Sequence, residues 1–314
     1  MKTGLVGIGH WGQNYLKTIK KIPNIDLKWV YSPHRKNEKN LPLHCKLVND
    51  YNLLLKDNKL DSIIISTPPS THYELTKKAL LAGKDVLVEK PMTLFSNEAL
   101  ELGKISEVES RVLMVGHIYL YNPVVLELKK MIDKRKIKDI VGFYSNLSDS
   151  KPSREDISVL WDFAPHPISL INFLMGKKPV RVNAHAEKLG LKFENIVNLT
   201  LTYPNGIKGL IHNSWIESKK ERRMIIFGTK KKIIFDDSSE DKLKIYNLFT
   251  NKEKILPIYN TKSPLELQCL HFLECVEKRK KPLTDSYEGY INVRILEEAQ
   301  KSLKISQEVK IDYS

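Results

Sequence analysis

Cysteine is scarce in this sequence, and long apolar runs are missing altogether. Cys45, Cys269 and Cys275 are odd in number and form no Cys-x-x-C pair. A disulfide framework and a zinc-finger spacing are both excluded, and a reducing compartment fits. No apolar run approaches the about 20 residues that a membrane span requires. The opening Met1-Lys2-Thr3-Gly4-Leu5 enters a strand pattern directly, without the apolar core and small-residue cleavage site of a signal peptide. These absences predict a cytoplasmic protein. Acidic residues are in deficit, 37 against 51 Lys and Arg, for a net charge of +14. Such a charge serves either a polyanion partner or a solvated lysine-rich surface that attracts small anionic ligands. The basic residues are dispersed and lack interleaved stacking aromatics, which speaks against nucleic acid.

What the sequence does contain is an alternation of strand and helix signals. Thr3 to Ile8, Leu27 to Tyr31, Leu47-Val48, Ser62 to Ser66, Val86 to Val88 and Val112 to Val115 read as strands. Helical stretches lie between them, from about Gly12 to before Pro23, over Tyr51 to Lys56, Tyr73 to Leu81, and from about Ser96. This order predicts a doubly wound α/β domain with a parallel sheet covered on both faces. After Gly116 the chain becomes strand-rich, with runs at Val141, Val180, Ile196, Ile207, Arg223 and Ile233, and Pro204-Asn205-Gly206 marks a hairpin. Helices are predicted over Val124 to Lys134, Trp161 to Met175, Leu265 to Glu277 and Glu288 to Ile305. The expected division is a dinucleotide-binding domain over 1–118 and an α+β domain with a large, mostly antiparallel open sheet over 119–314, its last helix free to pack back on the first domain.

Gly7-Ile8-Gly9-His10-Trp11-Gly12 is a G-x-G-x-x-G that follows the first strand and opens a helix, the context that gives the motif meaning. Gly7 allows a tight turn, Gly9 lets the backbone approach a pyrophosphate, and Gly12 lets the helix pack on the strand. The helix terminus adds N–H donors and partial positive charge. The second strand ends in Tyr31-Ser32-Pro33-His34-Arg35-Lys36, where an NAD-specific enzyme would carry a carboxylate. A hydroxyl at Ser32 with His34, Arg35 and Lys36 favours the 2′-phosphate of NADP over NAD, unless Arg35 and Lys36 are only loop charges.

Val88-Glu89-Lys90-Pro91, Thr67-Pro68-Pro69-Ser70-Thr71-His72, Val115-Gly116-His117, Asn122-Pro123, Asp162-x-x-x-His166 and Pro282-Leu283-Thr284-Asp285 accompany the glycine motif. With them the chain resembles, over essentially its whole length, the glucose–fructose oxidoreductase/inositol dehydrogenase (Gfo/Idh/MocA) family of NAD(P)-dependent oxidoreductases. The resemblance implies that Lys90 is the cation beside the nicotinamide and the reacting oxygen, that His166 is the acid/base, and that Asp162 is its partner or a substrate ligand. It also implies that Pro91 aims Lys90, often after a cis peptide bond, and that Ser66, Thr67, Pro68, His72 and Glu89 line the cofactor. Tyr119 and Tyr121 fall in the segment that faces substrate in the family, although inter-domain packing would equally explain them.

The chemistry suits these residue types. A hydride leaving or joining an alcohol carbon requires a proton to leave or join its oxygen. A cation stabilises alkoxide character, and an imidazole carries a proton near neutral pH. The sequence departs from the family at Pro165, Pro167 and Ser169, where glycine and aspartates are usual. Two prolines place a helix start near Pro165 or Pro167, and the missing acids leave the sugar contacts open. Trp215 with Lys219, Lys220, Arg222 and Arg223 is either a phosphate subsite or a solvated loop face. The leading expectation is a dehydrogenase or ketoreductase of a nucleotide-linked or phosphorylated sugar. A free sugar or cyclitol dehydrogenase is the runner-up, and an NADP-binding sensor without turnover is the alternative of another class. A bare face on the second sheet predicts a homodimer or homotetramer.

Overall fold

Short runs of β-branched and aliphatic residues build the amino-terminal sheet, because a strand buried on both faces has no place for polar alternation. In the computed structural model, which describes residues 1–34, 41–137, 139–151, 154–190, 192–258 and 260–314, six strands are parallel. They are β1 (Lys2–Val6), β2 (Asp26–Tyr31), β3 (Lys46–Val48), β4 (Ser62–Ile65), β5 (Asp85–Val88) and β6 (Leu113–Val115), in the spatial order β3-β2-β1-β4-β5-β6. The crossing helices are α1 (His10–Ile19), the short α2 (Asn52–Leu55), α3 (His72–Leu81) and α4 (Ser96–Val108). Helix α1 buries Gly12, Tyr15, Leu16 and Ile19, one face at helical spacing. The strand order reverses between β1 and β4, so the loops after those two strands border the crevice where doubly wound sheets bind ligands.

The second sheet has nine strands, in the order β14-β13-β12-β11-β7-β10-β9-β8-β15. Helix α5 (Pro123–Asp133) leads into β7 (Ile140–Ser148). Helices α6 (Val159–Phe163) and α7 (Pro165–Met175) follow, then β8 (Arg181–Glu187), β9 (Ile196–Thr202), β10 (Lys208–Ser214), β11 (Glu221–Gly228), β12 (Lys231–Asp236), β13 (Leu243–Asn247) and β14 (Glu253–Ile255). The last elements are α8 (Pro264–Lys278), α9 (Ser286–Ile305) and β15 (Val309–Lys310). All neighbouring strands are antiparallel except β7 and β10. One face of the sheet, with Phe143, Leu147, Ile211, Met224 and Ile226, is buried. Helix α7 packs on β7, and α6 packs on β9 and β10.

The single helical stretch read from Trp161 to Met175 is two helices. Pro165 and Pro167 lack the N–H that an uninterrupted helix would use, so a new first turn begins at Pro165. Strands β13, β14 and β15 were not among the expected strands. The chain divides into two compact units, residues 1–118 with 262–293, and residues 119–261 with 294–314. Among the described residues, no helix is long and apolar enough to cross a membrane.

Candidate active site

The glycine loop is built by steric exclusion. Gly7 has φ +91°, in the left-handed region, and a Cβ there would lie 2.9 Å from the Ser66 carbonyl oxygen. A Cβ on Gly12 would lie 2.2 Å from the Gly7 oxygen, which backbone cannot yield. Around Gly9 nothing lies within 4 Å of the corresponding position, so the loop backbone is open to a bulky ligand. Gly9 caps α1 without a side chain, which leaves first-turn N–H groups for an anion. His10 is exposed beside it. Ser66 Oγ donates to the Gly7 oxygen at 2.9 Å and holds the turn. These features fit a dinucleotide pyrophosphate. At the end of β2, Ser32 is buried, its N–H donating to the Val48 oxygen, and His34 is exposed. Arg35 and Lys36 lie outside the described residues.

Lys90 leaves the carboxyl end of β5, half-buried, and the Lys90–Pro91 peptide bond is cis. Behind it His72 is buried, with Nδ1 2.8 Å from the Pro91 oxygen and Nε2 2.9 Å from the Thr67 oxygen. The imidazole thus bridges the loop after β4, where Thr67 Oγ1 accepts from Thr71 Oγ1 and Pro68 is exposed, to the loop that carries Lys90. Glu89 is buried, and its carboxylate receives hydrogen bonds from Trp11 and Tyr15 of α1. Burial raises its pKa, opposed by the Tyr15 hydrogen bond, the Lys90 charge and the Trp11 hydrogen bond. His117, just past β6, is buried, and neither ring nitrogen has a hydrogen-bond partner among the described residues. Burial, with a smaller contribution from the Lys90 charge, pushes its pKa down to about 3. The sequence motif around Gly116 includes His117 but gives no sign that its ring is burdened in this way.

In the second unit, Asp162 is buried on α6 and His166 is half-buried in the first turn of α7. The break at Ala164 joins the two helices, so both residues lie close to one corner of the chain. Tyr119 stands edge-on to the His166 ring, centroids 5.1 Å apart. Burial raises the Tyr119 pKa, and the Arg222 charge opposes this. Tyr119, His166, Ser145, Leu147 and Arg222 border a pocket of about 20 Å³, water-sized and too small for a sugar ring. Ser169 Oγ donates to the His166 oxygen and so serves the helix turn.

Two expected substrate contacts have internal duties. Trp215 is buried, edge-on to Phe163 at 6.2 Å. Arg222 donates to the Ser148 and Glu221 carbonyl oxygens and to Asp149, and its guanidinium stacks 5.1 Å from the Phe163 ring centroid. The neighbouring Lys219 and Lys220 remain exposed. Tyr121 is buried. In the first unit the structure therefore gathers the glycine loop, the Thr67 loop, Lys90 and His117, and in the second it brings Tyr119 against His166, with Asp162 four residues before it in the chain.

Comparison with known proteins follows the same division. Residues 1–117 match an oxidoreductase family described by its NAD-binding Rossmann fold, and residues 125–234 match the Gfo/Idh/MocA C-terminal domain. The chain is 28% identical over 234 residues to UDP-N-acetylglucosamine 3-dehydrogenase of Acidithiobacillus ferrooxidans, covering 72% of this chain and 71% of that one. It is 25% identical to scyllo-inositol 2-dehydrogenase (NAD(+)) of Bacillus subtilis, covering 99% and 96%. A solved structure from Magnetospirillum magnetotacticum superposes with a TM-score of 0.87 at 28% identity, over 95% of this chain and 99% of that one.

Proposed function

The chain belongs to the Gfo/Idh/MocA family of NAD-binding oxidoreductases, and from that premise we propose that it transfers hydride between NADP and a ring carbon of a nucleotide-linked or phosphorylated sugar. The observation that carries the reading is the neighbourhood of Lys90: an amine at the carboxyl end of β5, in the same sheet edge as a glycine loop shaped by Gly7 and Gly12. When bound, the dinucleotide supplies the hydride acceptor or donor. Gly7, Gly9, Gly12 and the amino end of α1 hold its pyrophosphate, with Ser66, Thr67, Pro68 and His72 shaping the adjoining wall. Lys90 stabilises negative charge on the substrate oxygen. His166 takes the proton from that oxygen in oxidation and returns it in reduction, with Asp162 fixing the imidazole or a neighbouring hydroxyl. The lack of a carboxylate over residues 31–36 favours NADP, and the exposed His34 would be available to its 2′-phosphate.

The anionic portion of the substrate is drawn by the +14 net charge and by exposed Lys219 and Lys220. A free cyclitol or sugar is the second reading, favoured by the engagement of Arg222 with Ser148, Glu221 and Asp149. Salt separates the two: KM for an anionic substrate rises with ionic strength, and KM for a neutral one stays level. We also take the exposed face of the nine-stranded sheet as the contact between identical chains.

The decisive experiment is steady-state kinetics on a panel of UDP-sugars, sugar phosphates and free cyclitols with NAD and NADP. Lys90→Ala is expected to lower kcat at least about 100-fold, comparable to losing a key transition-state donor, while the protein still binds cofactor. Binding of NADPH without turnover of any panel member, or full activity in Lys90→Ala, would overturn the reading.

A further inference from the structure

One buried carboxylate joins the helix of the glycine loop to the backbone of Lys90. Trp11 Nε1 and the Tyr15 hydroxyl each donate to Glu89 Oε1 at 2.6 Å. The Tyr15 hydroxyl accepts in turn from Gln268 Nε2 at 2.8 Å. On the other oxygen, Oε2, the Lys90 N–H donates at 3.2 Å. Trp11 and Tyr15 are four residues apart and so share one face of α1, in the first turns after the glycines. The opposite wall is shaped to the carboxylate, because a Cβ on Gly116 would lie 2.8 Å from Oε1. With two donors on it, Oε1 has no acceptor capacity left for a ligand. Oε1 is therefore committed to helix α1 and not to a ligand.

We infer that Glu89 is a positioning residue that keeps the glycine-loop helix and Lys90 in one register, so that a dinucleotide seated on the loop finds the lysine amine correctly placed. The inference rests on the reading that Lys90 acts on the substrate oxygen. A single-atom change tests the arrangement. The amide of Glu89→Gln has one acceptor oxygen and one NH₂ group. Turned so that oxygen meets Trp11 and Tyr15, its NH₂ meets the Lys90 N–H, donor against donor. Turned the other way, the NH₂ faces the indole N–H and only Lys90 keeps its acceptor. Neither orientation satisfies all three donors, although size and fold are retained.

Glu89→Gln is expected to lower kcat by about 10- to 100-fold, the scale of a small misplacement of a reacting group, while the NADPH dissociation constant, read by tryptophan quenching, changes by less than about 3-fold. In a Lys90→Ala background the same substitution is expected to have almost no further effect on kcat, since the two act as one unit. Tyr15→Phe removes one donor with little change of shape and is expected to follow the same pattern with a smaller loss. In the protein without cofactor, both variants are expected to move the Lys90 backbone amide resonance, a readout that needs no turnover. Equal losses in the wild-type and Lys90→Ala backgrounds would overturn the inference. So would a folded Glu89→Gln or Tyr15→Phe protein with wild-type kcat and only a lower melting temperature. A Lys90→Ala protein with undiminished kcat would instead remove the premise about Lys90, and the inference with it.

Discussion

At the scale of single residues, His117 turns burial into a dependence on pH. Its ring is 1% exposed and its pKa is pushed down to about 3, against an ordinary value of about 6.5 in the unfolded chain. Below about pH 6.5 the unfolded chain binds a proton that the native ring refuses, so the unfolded state gains stability as pH falls. The contribution is fully present above that pH and is lost progressively down to about pH 3, by at most about 4–5 kcal/mol. Glu89, raised by burial, contributes in the opposite sense, and a His117→Phe variant leaves it in place. Melting temperatures from pH 7 to pH 4 are expected to fall less steeply in His117→Phe than in wild type, and parallel curves would count against this account. Gly12 makes a second residue-scale case. A methyl group there meets the Gly7 oxygen at 2.2 Å, so Gly12→Ala must shift the loop at a cost of about 1–3 kcal/mol. Cofactor affinity is expected to fall by about tenfold or more, as a fluorescence titration with NADPH would register.

At the scale of elements, local chemistry decides what the sequence discloses. The run Ser62-Ile63-Ile64-Ile65 can only be an interior strand, and Pro204-Asn205-Gly206 turns β9 into β10 with Gly206 at φ +77°. Asn122-Pro123 is legible in the same way. Asn122 Oδ1 accepts from the Val124 N–H at 3.0 Å and caps α5, with Pro123 in the position that needs no donor. Its Nδ2 also donates to Asp237 at 3.1 Å. Asn122→Ala is therefore expected to cost about 1–2 kcal/mol, with a melting temperature lower by about 2–4 °C. A loss too small to measure by thermal denaturation would contradict the capping role. The strands that escaped sequence reading, β13 to β15, are short and lie near or at the sheet margins. Charged residues, among them Lys244, Glu253 and Lys310, interrupt their apolar ones, and pairing to a neighbour defines them. The site is legible to the same limit. The glycine loop follows from local spacing, whereas Lys90, Asp162 and His166 are singled out only by the resemblance to the family. Trp11 and Tyr15 on Glu89, Ser148 and Asp149 on Arg222, and Phe163 beside Trp215 come from tens of positions away, and no spacing rule reaches them.

At the scale of the whole molecule, the nine-stranded sheet poses a problem of cover. Its inner face is buried beneath α6 and α7, but along the other face Leu210, Tyr144 and Ile225 are in register across β10, β7 and β11. Leu210 is 46% exposed there and Phe227 38%. Isolated surface hydrophobes need no partner, but a contiguous patch on a sheet face does. Polar residues in adjacent rows, among them His212, Asn146 and Arg223, supply the rim that an interface requires. A patch on one chain meets its equal most economically through a two-fold axis, where each residue faces its counterpart. Two like charges placed at such a patch oppose each other across the axis and lose their water together. Leu210→Asp with Phe227→Asp is therefore expected to convert a dimer or tetramer to monomer in light scattering at micromolar concentration. Thermal stability of the isolated chain should change little, since both positions already face outward. A wild-type protein that is monomeric under those conditions would show that the face is stable uncovered, and the double variant would then behave as wild type.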